Sequence, residues 1–78
     1  MSKMIIGEND LIPVPPEVLK KLKLKQGSAI TIKAMIGPNG KVENVKGMIG
    51  PNGKIQIPKD VMVKLKLKKG ANVEIIWY

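Results

Sequence analysis

The spacing of apolar residues switches between two periods, and it does so twice in the same order. In Lys54-Ile55-Gln56-Ile57-Pro58, Ile55 and Ile57 fall on one side of an extended chain, as Ile12 and Val14 do earlier, because strand side chains alternate between faces. Pro58 ends that strand, since it has no N–H for a ladder. A short helix is predicted next. Val18 with Leu22, and Val61 with Leu65, recur at i and i+4, while Pro16 suits a first helical turn and Glu17 and Asp60 place negative charge near the positive helix end. After Gly27 and Gly70 the alternation returns. Ile30, Ile32, Ala34 and Ile36 are predicted to face inward, matched by Val73, Ile75 and Trp77.

This doubled pattern is a duplication. Shifting the chain by 43 positions aligns Ile5–Met35 with Met48–Tyr78 without gaps, and 13 of the 31 pairs are identical. The matches include Gly7 with Gly50, Asn9 with Asn52, Ile12 with Ile55, Pro15 with Pro58, and the word KLKLK at Lys21–Lys25 and Lys64–Lys68. A shorter echo, MIGPNG, occurs at Met35–Gly40 and at Met48–Gly53. Pro presets the first central position of a turn, and Asn and Gly tolerate the positive φ that a tight turn needs. The stretch Lys41–Ile49 between the two echoes is predicted to be one long strand, hairpinned to both neighbours by Gly-Pro-Asn-Gly turns.

The predicted order is therefore ββαβ followed by ββαβ. Six strands and two short helices related by a pseudo-twofold close into a small barrel, which removes exposed sheet edges. The expected fold class is mainly β: one barrel domain over residues 1–78, made of two repeats at about 4–46 and 47–78. A chain of 78 residues is short enough that closure or pairing of chains is needed to bury a sufficient core.

Composition narrows the chemistry. Apolar residues make up 44%, but Phe is absent and Trp77 and Tyr78 are the aromatic residues, so the core is aliphatic. Without cysteine or histidine there are no disulfides and no thiolate or imidazole metal sites, and no cofactor is expected. No apolar run approaches a membrane span, so the expected setting is soluble and cytoplasmic, without membrane association. Lys plus Arg total 14 against 6 acids, for a net charge of +8, and every cation is lysine. That excess favours polyanions such as nucleic acid. Lysine makes point contacts to phosphate, whereas arginine forms the bidentate fork that reads guanine.

The second unit, IGPNGKIQIPKDVMVKLKLKKGANVEI, resembles the DNA-binding domain of the AbrB/SpoVT transition-state regulators and MazE-type antitoxins. The resemblance rests on Gly53-Lys54, Ile57-Pro58-Lys59, Leu65, Leu67 and Gly70. In the first unit Asp10-Leu11 and Pro15-Pro16 stand at the corresponding basic positions. The tandem ββαβ unit also looks like the double-psi and RIFT barrels, grouped with AbrB domains as cradle-loop barrels. The resemblance implies a cradle-loop barrel that meets DNA through Lys54 and Lys59, with Lys41 and Lys46 nearby on the middle strand.

Catalysis is not expected. The six acids form no close acidic motif, and an enzyme would need a carboxylate, serine or lysine as its working group. Gly27-Ser28 resembles the self-cleaving pair of the double-psi aspartate decarboxylases, yet its repeat partner Gly70-Ala71 points to a turn. In the KLKLK words the leucines are predicted to pack while the lysines sit at a helix C-terminus, whose partial negative charge suits them. The expected function is a non-enzymatic, DNA-binding module of the AbrB-like kind. The alternative is an engineered or reconstructed barrel scaffold without a ligand, which the verbatim repeated words also fit. Met35, Ile76 and Tyr78 are the apolar residues expected to be exposed, and a homodimer would form through them.

Overall fold

The computed structural model describes residues 2–78. Its strands are β1 (Ser2–Ile5), β2 (Leu11–Pro13), β3 (Ala29–Ile36), β4 (Val42–Met48), β5 (Lys54–Gln56) and β6 (Asn72–Ile76); its helices are α1 (Pro16–Lys21) and α2 (Lys59–Lys64). The ββαβ order thus occurs twice. The strands form two antiparallel sheets, one ordered β1-β6-β3-β4 and the other β2-β5.

The duplication extends to the register. Ile12 pairs with its own repeat equivalent Ile55, flanked by Leu11 with Gln56 and Pro13 with Lys54. Two backbone bonds continue this ladder symmetrically, from Val14 N–H to the Gly53 carbonyl and from Ile57 N–H to the Asp10 carbonyl, both 2.9 Å. Each half also borrows from the other. Ile6 exchanges bonds with Gly70 and Ala71 (2.8 and 2.9 Å), and Ile49 does the same with Gly27 and Ser28 (2.7 and 2.8 Å). Strand β1 pairs with β6 as the end of β4 pairs with β3. The two repeats are therefore interleaved, and one mainly aliphatic cluster, which also takes in Trp77, runs through both sheets and both helices, including Ile12, Ile32, Met35, Ile55, Leu65 and Ile75.

Both helices stop in the same way. Leu24 N–H reaches the Leu19 carbonyl at 2.8 Å and Lys23 N–H the Lys20 carbonyl at 3.2 Å, while Leu67 and Lys66 repeat this with Met62 and Val63. This is the Schellman pattern, in which the residue after the helix takes a left-handed conformation. Here that residue is the central lysine of KLKLK, with φ 55° at Lys23 and 52° at Lys66. The following leucine, Leu24 or Leu67, turns back onto the core.

Three expectations are corrected. The two Gly-Pro-Asn-Gly turns do not both make hairpins: the first joins β3 to β4, whereas the second sends the chain to β5, whose partner is β2. Both turns share the bonds 37→41 and 40→37, or 50→54 and 53→50, but Asn52 has φ 66° and Asn39 does not enter the left-handed region. The alternation along β3 breaks at a register shift between Ile32 and Met35. A one-residue irregularity moves the following side chains to the other face, so Met35 is fully buried and Ala34 and Ile36 are only half-buried. Met35 is accordingly no exposed pairing residue; Tyr78 is exposed and Ile76 half-buried. Finally, Leu22 is exposed although its repeat mate Leu65 is buried. Leu65 is covered by the first turn, where a Cβ on Gly37 would lie 2.8 Å from the Leu65 carbonyl. No such turn covers Leu22.

Candidate nucleic-acid interface

Lys54 opens β5, and its ladder partner is Pro13. It is exposed, and Gln56, two residues on, donates from Nε2 to the Asn9 carbonyl at 3.0 Å. That bond ties the outer face of β5 to the equivalent turn of the first repeat. The repeat position of Lys54 is Leu11, half-buried and uncharged, so the dyad does not double this cation.

Lys59 is the first residue of α2 and is exposed. A helix N-terminus favours anions over cations, so a lysine there does nothing for the helix; Asp60 follows it. Lys41 lies immediately after the first turn, and its N–H donates to Asn39 Oδ1 at 3.1 Å. Asn39 Nδ2 in turn donates to the Lys64 carbonyl at 3.4 Å. Lys41 and Lys59 therefore belong to opposite ends of α2. Lys46 lies on the exposed side of β4, paired with Thr31.

Strand β4 passes β5 where a Cβ on Gly47 would lie 3.9 Å from Ile55 Cβ. Lys46 and Lys54 each adjoin one of those residues, so strand alternation turns their side chains away from the contact, and they belong to different sheets. Lys33 is exposed on β3 at the register shift, and its carbonyl accepts from Asn44 Nδ2 on β4. The sequence reading missed it, because its neighbour across the sheet is distant in the chain. Asn39 and Gln56 were missed for the same reason: each reaches a carbonyl distant in the chain.

The remaining lysines divide by what they touch. Lys64 pairs with Glu43 at 3.8 Å, and Lys69 pairs with Glu8. Lys21 lies over the Tyr78 ring, 4.7 Å from its centroid, and Lys23 and Lys66 carry the left-handed helix ends. Lys41, Lys46, Lys54 and Lys59 are exposed and take part in no ion pair among the described residues, and the same holds for Lys3, Lys20, Lys25, Lys33 and Lys68. Exposed ion pairs contribute little to stability, so these free lysines bear on available charge rather than on folding.

Other chemistry is sparse among the described residues. No polar or charged side chain is buried, and no group of acids is placed to hold a metal ion. Ser28 Oγ accepts the Lys25 N–H at 3.0 Å within its own turn. Two open hollows, of about 320 and 290 Å³, lie beside Lys3, Ile36 and Glu74 and beside Ser2, Trp77 and Tyr78. Neither includes the four candidate lysines. No helix is long and apolar enough to cross a membrane.

No family model matches the chain, and no curated protein does. Among solved structures, it is similar to the solution structure of PHS018 from Pyrococcus horikoshii, with a TM-score of 0.82 and 20% sequence identity, over 99% of this chain and 86% of that one. At that identity the likeness concerns the fold alone.

Proposed function

We propose that this chain is a non-enzymatic, basic cradle-loop β-barrel that binds DNA, in an AbrB-like manner, by contacting phosphates through Lys54, Lys59, Lys46 and Lys41. The observation that carries this reading is the charge left over by the fold. With 14 cations against 6 acids, the ion pairs among the described residues engage Lys64 and Lys69, and the four candidate lysines stay exposed without an acid partner. Lys59 supports it further, as a cation at a helix end that favours an anion. Because every cation is lysine, the contact is to backbone phosphate and carries little base selectivity. Such a module works in the cytoplasm, as a single copy or a homodimer.

The symmetry of the two copies favours a second reading, an engineered or reconstructed barrel scaffold without a ligand. The halves match in register, helix endings and left-handed positions; among the candidate cations Lys46 repeats as Lys3, whereas Lys54 and Lys59 have Leu11 and Pro16 at their repeat positions. A titration of fluorescent duplex DNA at several salt concentrations separates the two. Phosphate binding gives an affinity that falls linearly with salt on logarithmic axes, and absence of binding at low salt leaves the scaffold.

A further inference from the structure

The chain writes the same seven residues, MIGPNGK, at Met35–Lys41 and at Met48–Lys54. Any difference in the chemistry of these two Asn-Gly pairs therefore comes from folding. Asn39 is held at both ends of its side-chain amide: Oδ1 accepts the Lys41 N–H at 3.1 Å and Nδ2 donates to the Lys64 carbonyl at 3.4 Å. The Gly40 N–H donates to the Gly37 carbonyl at 3.0 Å. Asn52 is exposed, stands in the left-handed region at φ 66°, and its amide has no hydrogen-bond partner among the described residues. The Gly53 N–H donates to the Gly50 carbonyl at a longer 3.3 Å.

We propose that Asn52 is a site of spontaneous deamidation, that Asn39 is protected by its two hydrogen bonds, and that the new carboxylate tunes the basic surface at Lys54. The Gly53 backbone nitrogen attacks Asn52 Cγ and forms a five-membered imide. The Cγ–Nδ2 bond breaks, and Nδ2 leaves as ammonia, carrying the proton that Gly53 gives up. Water then opens the imide at either carbonyl, to aspartate or to isoaspartate; no electrons change hands. Gly53 leaves its nitrogen accessible because it has no side chain. At Asn39 the same attack requires releasing the amide from both Lys41 and Lys64. The product places a negative charge two residues before Lys54, and the isoaspartate form also lengthens the main chain of the turn that leads into β5.

The consequence for binding rests on the DNA-binding reading, whereas the modification does not. The test is to incubate the folded chain in warm, mildly alkaline buffer, digest it with trypsin, and quantify amide-to-acid conversion by mass spectrometry. The peptides Ala34–Lys41 and Gly47–Lys54 differ only in their first residue and so report the two sites separately. Asn52 is expected to convert about tenfold faster than Asn39, the scale set by the loss of two hydrogen bonds. In denaturant the two rates become equal. Equal rates in the folded chain, or faster conversion at Asn39, overturn the proposal. Asn52→Asp is expected to weaken low-salt DNA binding about two- to threefold, as one added charge near Lys54 would. An Asn52→Asp chain that binds as tightly as the parent overturns the regulatory half. A parent that binds no DNA sinks the DNA-binding reading, and the regulatory half with it, without altering the deamidation result.

Discussion

Ile12 and Ile55 occupy the same position in the two repeats and face each other as ladder partners in β2–β5. The pseudo-twofold therefore passes between two chemically identical, fully buried side chains. Large-to-small changes in such a site cost about 2–5 kcal/mol. Ile12→Ala and Ile55→Ala are expected to destabilise by similar amounts in urea unfolding, because their surroundings are related by the dyad. The double substitution is expected to depart from additivity by about 0.5–3 kcal/mol, since the two residues share one contact. A large difference between the single variants would mean that the halves are not energetically equivalent.

The helix ends provide a stabilising prediction. A left-handed conformation costs an L-residue with a side chain about 1–2 kcal/mol, and glycine escapes that cost at some loss of unfolded-state restriction. Lys23 and Lys66 both carry it, and both are exposed. Lys66→Gly and Lys23→Gly are each expected to raise stability by about 0.5–1 kcal/mol, read as a higher urea midpoint with unchanged slope. The two gains should add, as the helices belong to different halves. A loss of stability would show that the lysine side chain contributes to packing at the helix end.

The two copies of the Gly-Pro-Asn-Gly turn make a matched comparison. A Cβ on Gly37 would stand 2.8 Å from the Leu65 carbonyl and 2.9 Å from Leu65 Cβ, whereas at Gly50 the nearest atom is the Lys54 carbonyl at 3.3 Å. Neither glycine has positive φ, so the difference is one of space. Gly37→Ala is expected to cost about 1–3 kcal/mol, the range for overpacking a filled site, and Gly50→Ala distinctly less. Thermal unfolding of the two variants measures this directly. Equal costs would mean that the first turn does not press on Leu65.

Much of the fold was legible because its signals are local. Alternation marked Ile12 to Val14 and Ile55 to Ile57, the prolines placed the helix starts, and the offset between repeats located the dyad. What escaped was set by partners distant in the chain. Nothing in MIGPNGK says that one copy makes a hairpin and the other sends the chain to a second sheet; that depends on β2 being present to receive β5. The irregularity that buries Met35 arises where β3 leaves its register with β4. Leu22 and Leu65 hold the same place in the two copies of KLKLK, and their difference is fixed by a turn elsewhere in the chain: Gly37 lies between them in sequence and presses on Leu65. At the candidate interface, residue type was readable in the lysines, but the packing of Gly47 against Ile55, which sets how β4 passes β5, was not.

The placement of the DNA contacts is open to a charge-matched comparison. Lys54→Gln with Lys59→Gln removes two cations that the fold does not use, while Lys25→Gln with Lys68→Gln removes two exposed lysines at equivalent positions of the KLKLK words. Both double variants lower the net charge equally, so any general attraction to a polyanion weakens alike in the two. A lysine that touches a phosphate contributes about one unit to the salt dependence of binding. The Lys54/Lys59 variant is therefore expected to lose about two units of slope in a plot of log affinity against log salt, and the Lys25/Lys68 variant much less. Equal losses would indicate diffuse attraction without a site. The reverse order would move the site to the helix C-termini, where the backbone carbonyls of α1 and α2 oppose phosphate and only the lysines could hold it.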